Sequence, residues 1–324
     1  MLDDIGIVAI GRNEGARLIA CLASAKLETD TVVYVDSGST DGSAAAAKGL
    51  GAFVVNLDLS RPFTAARARN EGFAALKALK SNIRFVQFID GDCMLAKGWL
   101  TAAATFFGQR KDVAIVCGRL RERYPTASVY NQLCDIEWDT PVGESLACGG
   151  NAMARVEAFE ATGGFSSQLI AGEEPELCLR LREGGWKIWR LDAEMGVHDA
   201  AMTRFAQWWV RSVRFGYAMT EVSLVHQASS FGIWKREVVS TIFWGGLLPL
   251  TICLGALIHP IALVGILAYV IQFCRILVAR GPTSRKSWTC AGFLMLAKFP
   301  EMQGMLKFFW RQLRRWPAAL IEYK

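Results

Sequence analysis

Several patterns that would assign a chemistry at once are missing from this chain of 324 residues. No G-x-G-x-x-G follows a strand-like run and no G-x-x-x-x-G-K-[ST] occurs, so dinucleotide redox chemistry and P-loop hydrolysis are unsupported. Nine cysteines stand at 21, 93, 117, 134, 148, 178, 253, 274 and 290, yet none makes a CxxC pair and only three histidines accompany them. That excludes a disulfide frame or a cysteine-rich zinc site and predicts reduced thiols in a cytosolic compartment. The N-terminal MLDDIGIVAI lacks a positive region ahead of a long apolar run, which predicts no signal peptide and a first domain that stays in the cytoplasm. Acidic residues are scarce in one part only: residues 231–324 hold 12 Lys/Arg against 3 Asp/Glu, whereas residues 1–230 hold 24 against 27. The basic excess thus belongs to the apolar C-terminal part, which points to an anionic membrane surface rather than to nucleic acid.

What is present begins with alternation. Residues 5–10, IGIVAI, read as a strand followed by GRNEGARL and an apolar-periodic helix. A strand at 31–35 ends at Asp36, an alanine-rich helix covers 44–50, and another strand covers 52–57. Such strand–helix–strand order predicts an α/β fold with a mostly parallel sheet and helices on both faces, whose ligands bind at the carboxyl ends of the strands. Arg12, Asn13, Glu14 and Asp36 all follow directly after strands and so fall on that edge. Asp36 is placed either to accept hydrogen bonds from a nucleoside or simply to cap the turn in DSGSTDGS. In RPFTAARARNEGFAALKAL, Arg67 and Arg69 lie on a helix and are candidates for a diphosphate, or for an exposed basic face.

The centre of the chain is residues 84–93, RFVQFIDGDC, where a buried-type strand runs into Asp90-Gly91-Asp92. Gly91 lets the backbone turn so that two carboxylates converge, an oxygen-ligand set suited to Mg²⁺ or Mn²⁺ carrying substrate phosphates. An ordinary Asp-Gly turn is the competing reading. Further on, Cys148-Gly149-Gly150-Asn151 is a tight turn that brings backbone close to a neighbour. Pro175 suits the start of a helix ending at Gly184-Gly185. Glu173 and Glu174 then stand at its N-terminus, where the helix dipole favours the ionised carboxylate that a general base requires. Acidic residues also occur there for dipole reasons alone.

Taken together, GRNEGARL, VDSGSTDGS, RARNEGF, FIDGDC, GGNAMARVEAFEATGGF and GEEPELCLRLREGGWKI resemble the family 2 glycosyltransferases of the GT-A fold, over roughly residues 5–200. The resemblance implies a nucleotide-sugar donor, a divalent cation and inversion at the anomeric carbon. By position it implies that Asp36 contacts the nucleoside, with Arg12, Asn13, Glu14, Arg69 and Gly91 in the donor site. Asp90 and Asp92 match the DxD pair, Asp92 the firmer metal ligand and Asp90 nearer the donor's ribose or sugar. Glu174 matches the base of the ED motif, with Glu173, Gly149, Gly150 and Asn151 lining the acceptor and sugar side. His198 stands where relatives have a histidine that reaches the metal or diphosphate, although a lone surface histidine reads equally well. Two departures are visible: one acidic residue at Asp36-Ser37 where many relatives have two, and Glu-Glu in place of Glu-Asp at the base.

Residues 203–226 mix aromatic residues with Arg204, Arg211 and Arg214 at helical spacing, fitting either a bilayer surface or packing on the catalytic domain. Residues 240–258 carry no charge and residues 261–279 carry only Arg275, separated by His259-Pro260. Two segments of nearly the ~20 residues a bilayer demands, with so short a turn, predict a helical hairpin with both ends on one side. It either spans or enters one leaflet and returns, with two buried core helices as the competing reading. Lys235, Arg236, Arg280, Arg285 and Lys286 flank those ends and place them in the cytoplasm. Residues 287–318 read as interfacial amphipathic segments. The division is then a catalytic domain at 1–230 and a membrane-anchoring region at 231–324. The whole predicts an enzyme on the cytoplasmic face of a bacterial inner membrane, extending a lipid-linked glycan in exopolysaccharide, capsule or O-antigen assembly. Alternatives are transfer to polyprenyl phosphate itself, or a catalytically silent scaffold that binds nucleotide sugar.

Overall fold

The structure, a computed structural model, describes residues 3–61 and 63–315. The chain divides into two compact units, Met1–Ala201 and Met202–Lys324. The boundary falls well before the expected 230, because residues 205–225 form a helix that packs within the second unit.

In the first unit β1 (Ile5–Gly11), β2 (Val32–Asp36) and β3 (Phe53–Asn56) alternate with α1 (Ala16–Lys26) and α2 (Ser43–Gly49). Then follow α3 (Ala65–Leu79), β4 (Phe85–Asp90), β5 (Cys93–Leu95), α4 (Trp99–Gln109), β6 (Val113–Glu122) and α5 (Val129–Glu137). The unit closes with β7 (Gly143–Ser145), β8 (Ala152–Arg155), α6 (Val156–Ala161), α7 (Glu173–Glu183) and β9 (Lys187–His198). Among the described residues these nine strands form one sheet in the order β3-β2-β1-β4-β8-β6-β9-β5, with β7 on β9. Strands β3, β2, β1 and β4 are mutually parallel. The sheet becomes mixed beyond them, since β8 runs antiparallel to β4 and β6, while β6 and β9 are parallel.

The apolar runs explain the first half. Every residue of β2 and nearly all of β1 is buried, as expected where helices cover both faces. Thr64 caps α3 by accepting from the Arg67 amide at 3.1 Å. Gly72 then lets α3 lie directly on the sheet, for a side chain there would run into Val8 and Val35.

The second unit holds α8 (Phe205–Val225), α9 (Lys235–Thr241), α10 (Leu248–Ile258), α11 (Leu267–Arg280), α12 (Arg285–Leu296) and α13 (Lys298–Arg314). A π-helical stretch at Ile242–Leu247 leads into α10 just before Pro249, whose missing amide disturbs the regular ladder. A 3-10 stretch at Pro260–Ile266 leads into α11. Helices α8 and α13 cross backbone to backbone: a side chain on Gly216 would meet Glu301, and one on Gly304 would meet Val213 and Tyr217. The expected amphipathic segment 287–318 is two helices, α12 and α13, and its positions 316–318 lie outside the described residues.

Candidate active site

Register brings the first group of candidates together. Gly11 stands opposite Asp36 and Ile10 opposite Asp90, so β2, β1 and β4 finish side by side. Asp36 is 4% exposed: its Oδ1 accepts from the Tyr34 hydroxyl at 3.0 Å and its Oδ2 from the amides of Gly38 and Ser39 at 3.0 and 2.8 Å. Burial beside this carboxylate pushes the Tyr34 phenol up, so the phenol stays a proton donor. Asn13, in the left-handed region at φ 55°, stitches the next loop down. Its Oδ1 accepts from the Thr40 amide at 2.7 Å and its own amide donates to Ser39 Oγ at 2.9 Å. The Arg12 guanidinium lies over the Phe63 ring at 4.7 Å. Glu14 pairs with Arg17 at 2.6 Å, and Arg17 also reaches the Asp199 carbonyl at 3.4 Å.

A second group surrounds one buried guanidinium. Arg69, on α3 and 2% exposed, donates to Glu173 Oε1 and to Asp90 Oδ1, each at 2.8 Å, and stands 4.0 Å from Glu174 Oε1. Three carboxylates from two elements, β4 and α7, are thereby held around a single cation. Arg67, its neighbour on α3, is used differently: it pairs with Glu71 and donates to the carbonyls of Asp58 and Arg61, which secures the loop before the helix. Gly150 lies against the cluster so closely that a Cβ would sit 2.5 Å from Arg69 Nη2, 3.0 Å from Glu174 Oε1 and 3.1 Å from Asp90 Oδ2. Asn151 fixes that loop, its Oδ1 accepting from the Asp90 amide at 2.9 Å. Burial, then repulsion from Glu173, raises the Glu174 carboxyl from 4.5 to about 7, with Arg69 opposing.

The third group is Asp92 with His198. After Gly91, whose amide donates to Ile10 at 2.7 Å, the chain turns into β5, which pairs antiparallel with the end of β9 so that Cys93 faces His198. His198 Nε2 is consequently 3.1 Å from Asp92 Oδ2, and the Asp92 carbonyl takes the Asp199 amide at 3.0 Å. Ligand atoms of Asp92, Cys93 and His198 all lie within 4.8 Å of one another. Burial pushes the Cys93 thiol up and keeps it protonated, leaving a carboxylate oxygen and an imidazole nitrogen as the donors. That pair fits a cation such as Mn²⁺ or Mg²⁺. Asp90, expected to share the ion, here turns to Arg69 instead.

Some neighbours of these groups escape a reading of the sequence. Trp138, at the end of α5, stacks on His198 with centroids 4.5 Å apart and 19° between planes. Phe165 places its ring 5.5 Å from the Arg69 guanidinium. Cys148 and Cys178 bring their sulfurs to 3.5 Å, one turn along α7 from Glu174.

Residues 7–163, which carry the Asp36, Arg69, Asp90 and Asp92 positions, match the model of glycosyl transferase family 2. Over that stretch the chain is similar to glycosyl transferase family 2. A curated family relative is the pre-mycofactocin glycosyltransferase of Mycobacterium tuberculosis (strain ATCC 25618 / H37Rv), 27% identical over 172 residues that cover 50% of this chain and 35% of the relative. The chain thus spans about a third of the length of the curated relatives it matches. Among solved structures, the mannosyltransferase PcManGT from Pyrobaculum calidifontis, in complex with GDP-Man and Mn²⁺, superposes with a TM-score of 0.62 at 15% identity. It covers 95% of this chain and 88% of that one. TarS 1-349 from S. aureus superposes at 0.51 and 14% identity, covering 95% and 91%. Both likenesses concern the fold, a mixed α/β sheet of the GT-A type.

Proposed function

We propose that the chain moves a sugar from a nucleotide-sugar donor to an acceptor hydroxyl with inversion, assisted by a divalent cation. The observation that carries this reading is Glu174 beside Gly150, a carboxylate next to a backbone stretch without side-chain bulk. With its carboxyl raised to about 7, Glu174 is poised to accept a proton near neutrality, as a base on a sugar hydroxyl must. Arg69 holds Asp90 and Glu173 in fixed positions beside it. Asp92 and His198 would hold the cation, which when bound neutralises charge on the leaving diphosphate. Asp36 and the stitched loops of Asn13 and Ser39 form the nucleoside end, and Gly149, Gly150 and Asn151 the acceptor side. That PcManGT was solved with GDP-Man and Mn²⁺ supports a donor of this class and a cation.

The acceptor, in this reading, is a lipid-linked glycan at the cytoplasmic face of a bacterial inner membrane, in exopolysaccharide, capsule or O-antigen assembly. Support comes from the second unit. Its two longest apolar stretches, Lys235–Ile258 and Pro260–Arg280, are only 11% and 6% buried, far from the near-complete burial of core helices. Basic flanks at Lys235, Arg236, Arg280, Arg285 and Lys286 fit the cytoplasmic headgroups.

Glu174→Gln tests the assignment. Transfer to a hydroxyl acceptor falls by about 10²–10⁴-fold while donor affinity, read by calorimetry, stays within a few-fold. Unchanged transfer in that variant would shift the acceptor to an already ionised group such as polyprenyl phosphate, which needs no base.

A further inference from the structure

We infer that the hairpin of α10 and α11 enters the bilayer from one side and turns back inside the hydrocarbon, so that its tip at His259 and Pro260 never reaches the opposite surface. The inference rests on the membrane reading above and adds the depth.

The root of the hairpin is fixed by packing. A side chain on Gly245 would run into the Lys298 carbonyl, and one on Gly246 would meet Met302 at 2.9 Å, so the π-helical stretch lies directly on the first turn of α13. At that level Tyr269 donates its hydroxyl to the Trp244 carbonyl at 2.6 Å, and its ring lies 5.6 Å from Trp244 and 6.2 Å from Phe299. Tyrosine and tryptophan rings settle at the headgroup boundary, which marks this level as the membrane surface. From Trp244 to His259 a helix rising ~1.5 Å per residue extends roughly 22 Å. The returning arm, with a 3-10 turn rising ~2 Å per residue, extends roughly 18 Å. A hydrocarbon core is ~30 Å thick, so the tip stops on the order of 10 Å short of the far boundary.

The chemistry of the tip agrees with that depth. Residues 245–268 contain no charged residue and no tryptophan or tyrosine, the residues that anchor a helix end at headgroups. Leu257, Ile258 and Ile261 are 84%, 88% and 68% exposed. Thr251 and His259 each make a hydrogen bond within the hairpin, as a hydrocarbon setting favours. Thr251 donates its hydroxyl to the Leu247 carbonyl at 2.8 Å, and His259 Nδ1 accepts the Ile261 amide at 3.2 Å. The His259 carbonyl takes the Ala262 amide at 3.1 Å and the His259 amide donates to the Gly255 carbonyl at 2.8 Å.

The test uses the full chain in lipid nanodiscs of phosphatidylethanolamine and phosphatidylglycerol, where water reaches both faces. In a chain with the exposed Cys253 and Cys274 replaced by alanine, single cysteines are introduced as Ile258→Cys, Leu257→Cys and, as a root control, Lys235→Cys. A membrane-impermeant maleimide is expected to modify the Lys235→Cys chain and to leave both tip variants unmodified until detergent dissolves the disc. Tip modification as fast as the control in intact discs would show a hairpin that spans, and would overturn the inference. A chain that does not co-elute with the discs would instead overturn the membrane reading beneath it.

Discussion

Glu174 owes its raised carboxyl to burial and to its neighbour Glu173, opposed by Arg69 from α3. Burial raises its proton affinity most, Glu173 raises it further, and Arg69 lowers it. In the proposed role of base the deprotonated form is the active one, so kcat/KM should rise with pH through about 7 and level off above it. Glu173→Gln removes a repelling charge and releases Arg69 toward Glu174, so the midpoint of that rise should move to lower pH in a pH–rate profile. For stability the sign is opposite. A carboxyl raised from 4.5 to about 7 favours the folded state most below its unfolded range, and this contribution disappears as pH rises through 7. Gly150→Ala should disturb the same cluster, since its Cβ would stand 2.5 Å from Arg69 Nη2. Overpacking of this kind costs about 1–3 kcal/mol, to be read from denaturant unfolding beside a loss of turnover. Asp90, Asp92 and Glu174 stand out as candidates in the sequence because each sits in a short run of turn or helix-start residues. Trp138 does not, because its stacking on His198 joins a helix end to a strand end far along the chain.

At the scale of elements, legibility followed continuous apolar runs. Strands β1, β2 and β4 are long apolar runs covered on both faces, and their boundaries read off within a residue or two. Strands β5, β7 and β8 have three or four residues each, too few to show a period, so the antiparallel part of the sheet stayed invisible. That part sets the site: the pairing of Cys93 with His198 delivers the histidine to Asp92. In the second unit the crossing of α8 and α13 depends on two glycines, whose small size reads in sequence only as a lack of pattern. Gly304→Leu should force the helices apart and lower the unfolding midpoint in detergent solution by the equivalent of about 1–3 kcal/mol. An unchanged midpoint would show that the close crossing contributes nothing.

Across the whole molecule, charge and hydropathy separate what the two units do. Residues 231–324 carry 12 basic and 3 acidic residues together with both long apolar stretches. Binding to vesicles should therefore favour phosphatidylglycerol over phosphatidylcholine and weaken with salt in a sedimentation assay, each basic group near the surface contributing about 1 kcal/mol. The segregation was plain from composition. The boundary at Ala201 was not, because α8 has the aromatic and arginine content of either unit.

The central claim is that Asp92, His198 and Glu174 together perform metal-assisted sugar transfer. The most direct measurement is nucleotide release by the detergent-purified full chain supplied with membrane lipid extract, screened over UDP-, GDP- and dTDP-sugars with Mn²⁺ or with EDTA. The account predicts release from one donor that EDTA abolishes and that is lost in Asp92→Ala and Glu174→Gln. Release that persists undiminished in EDTA and in Asp92→Ala would contradict it.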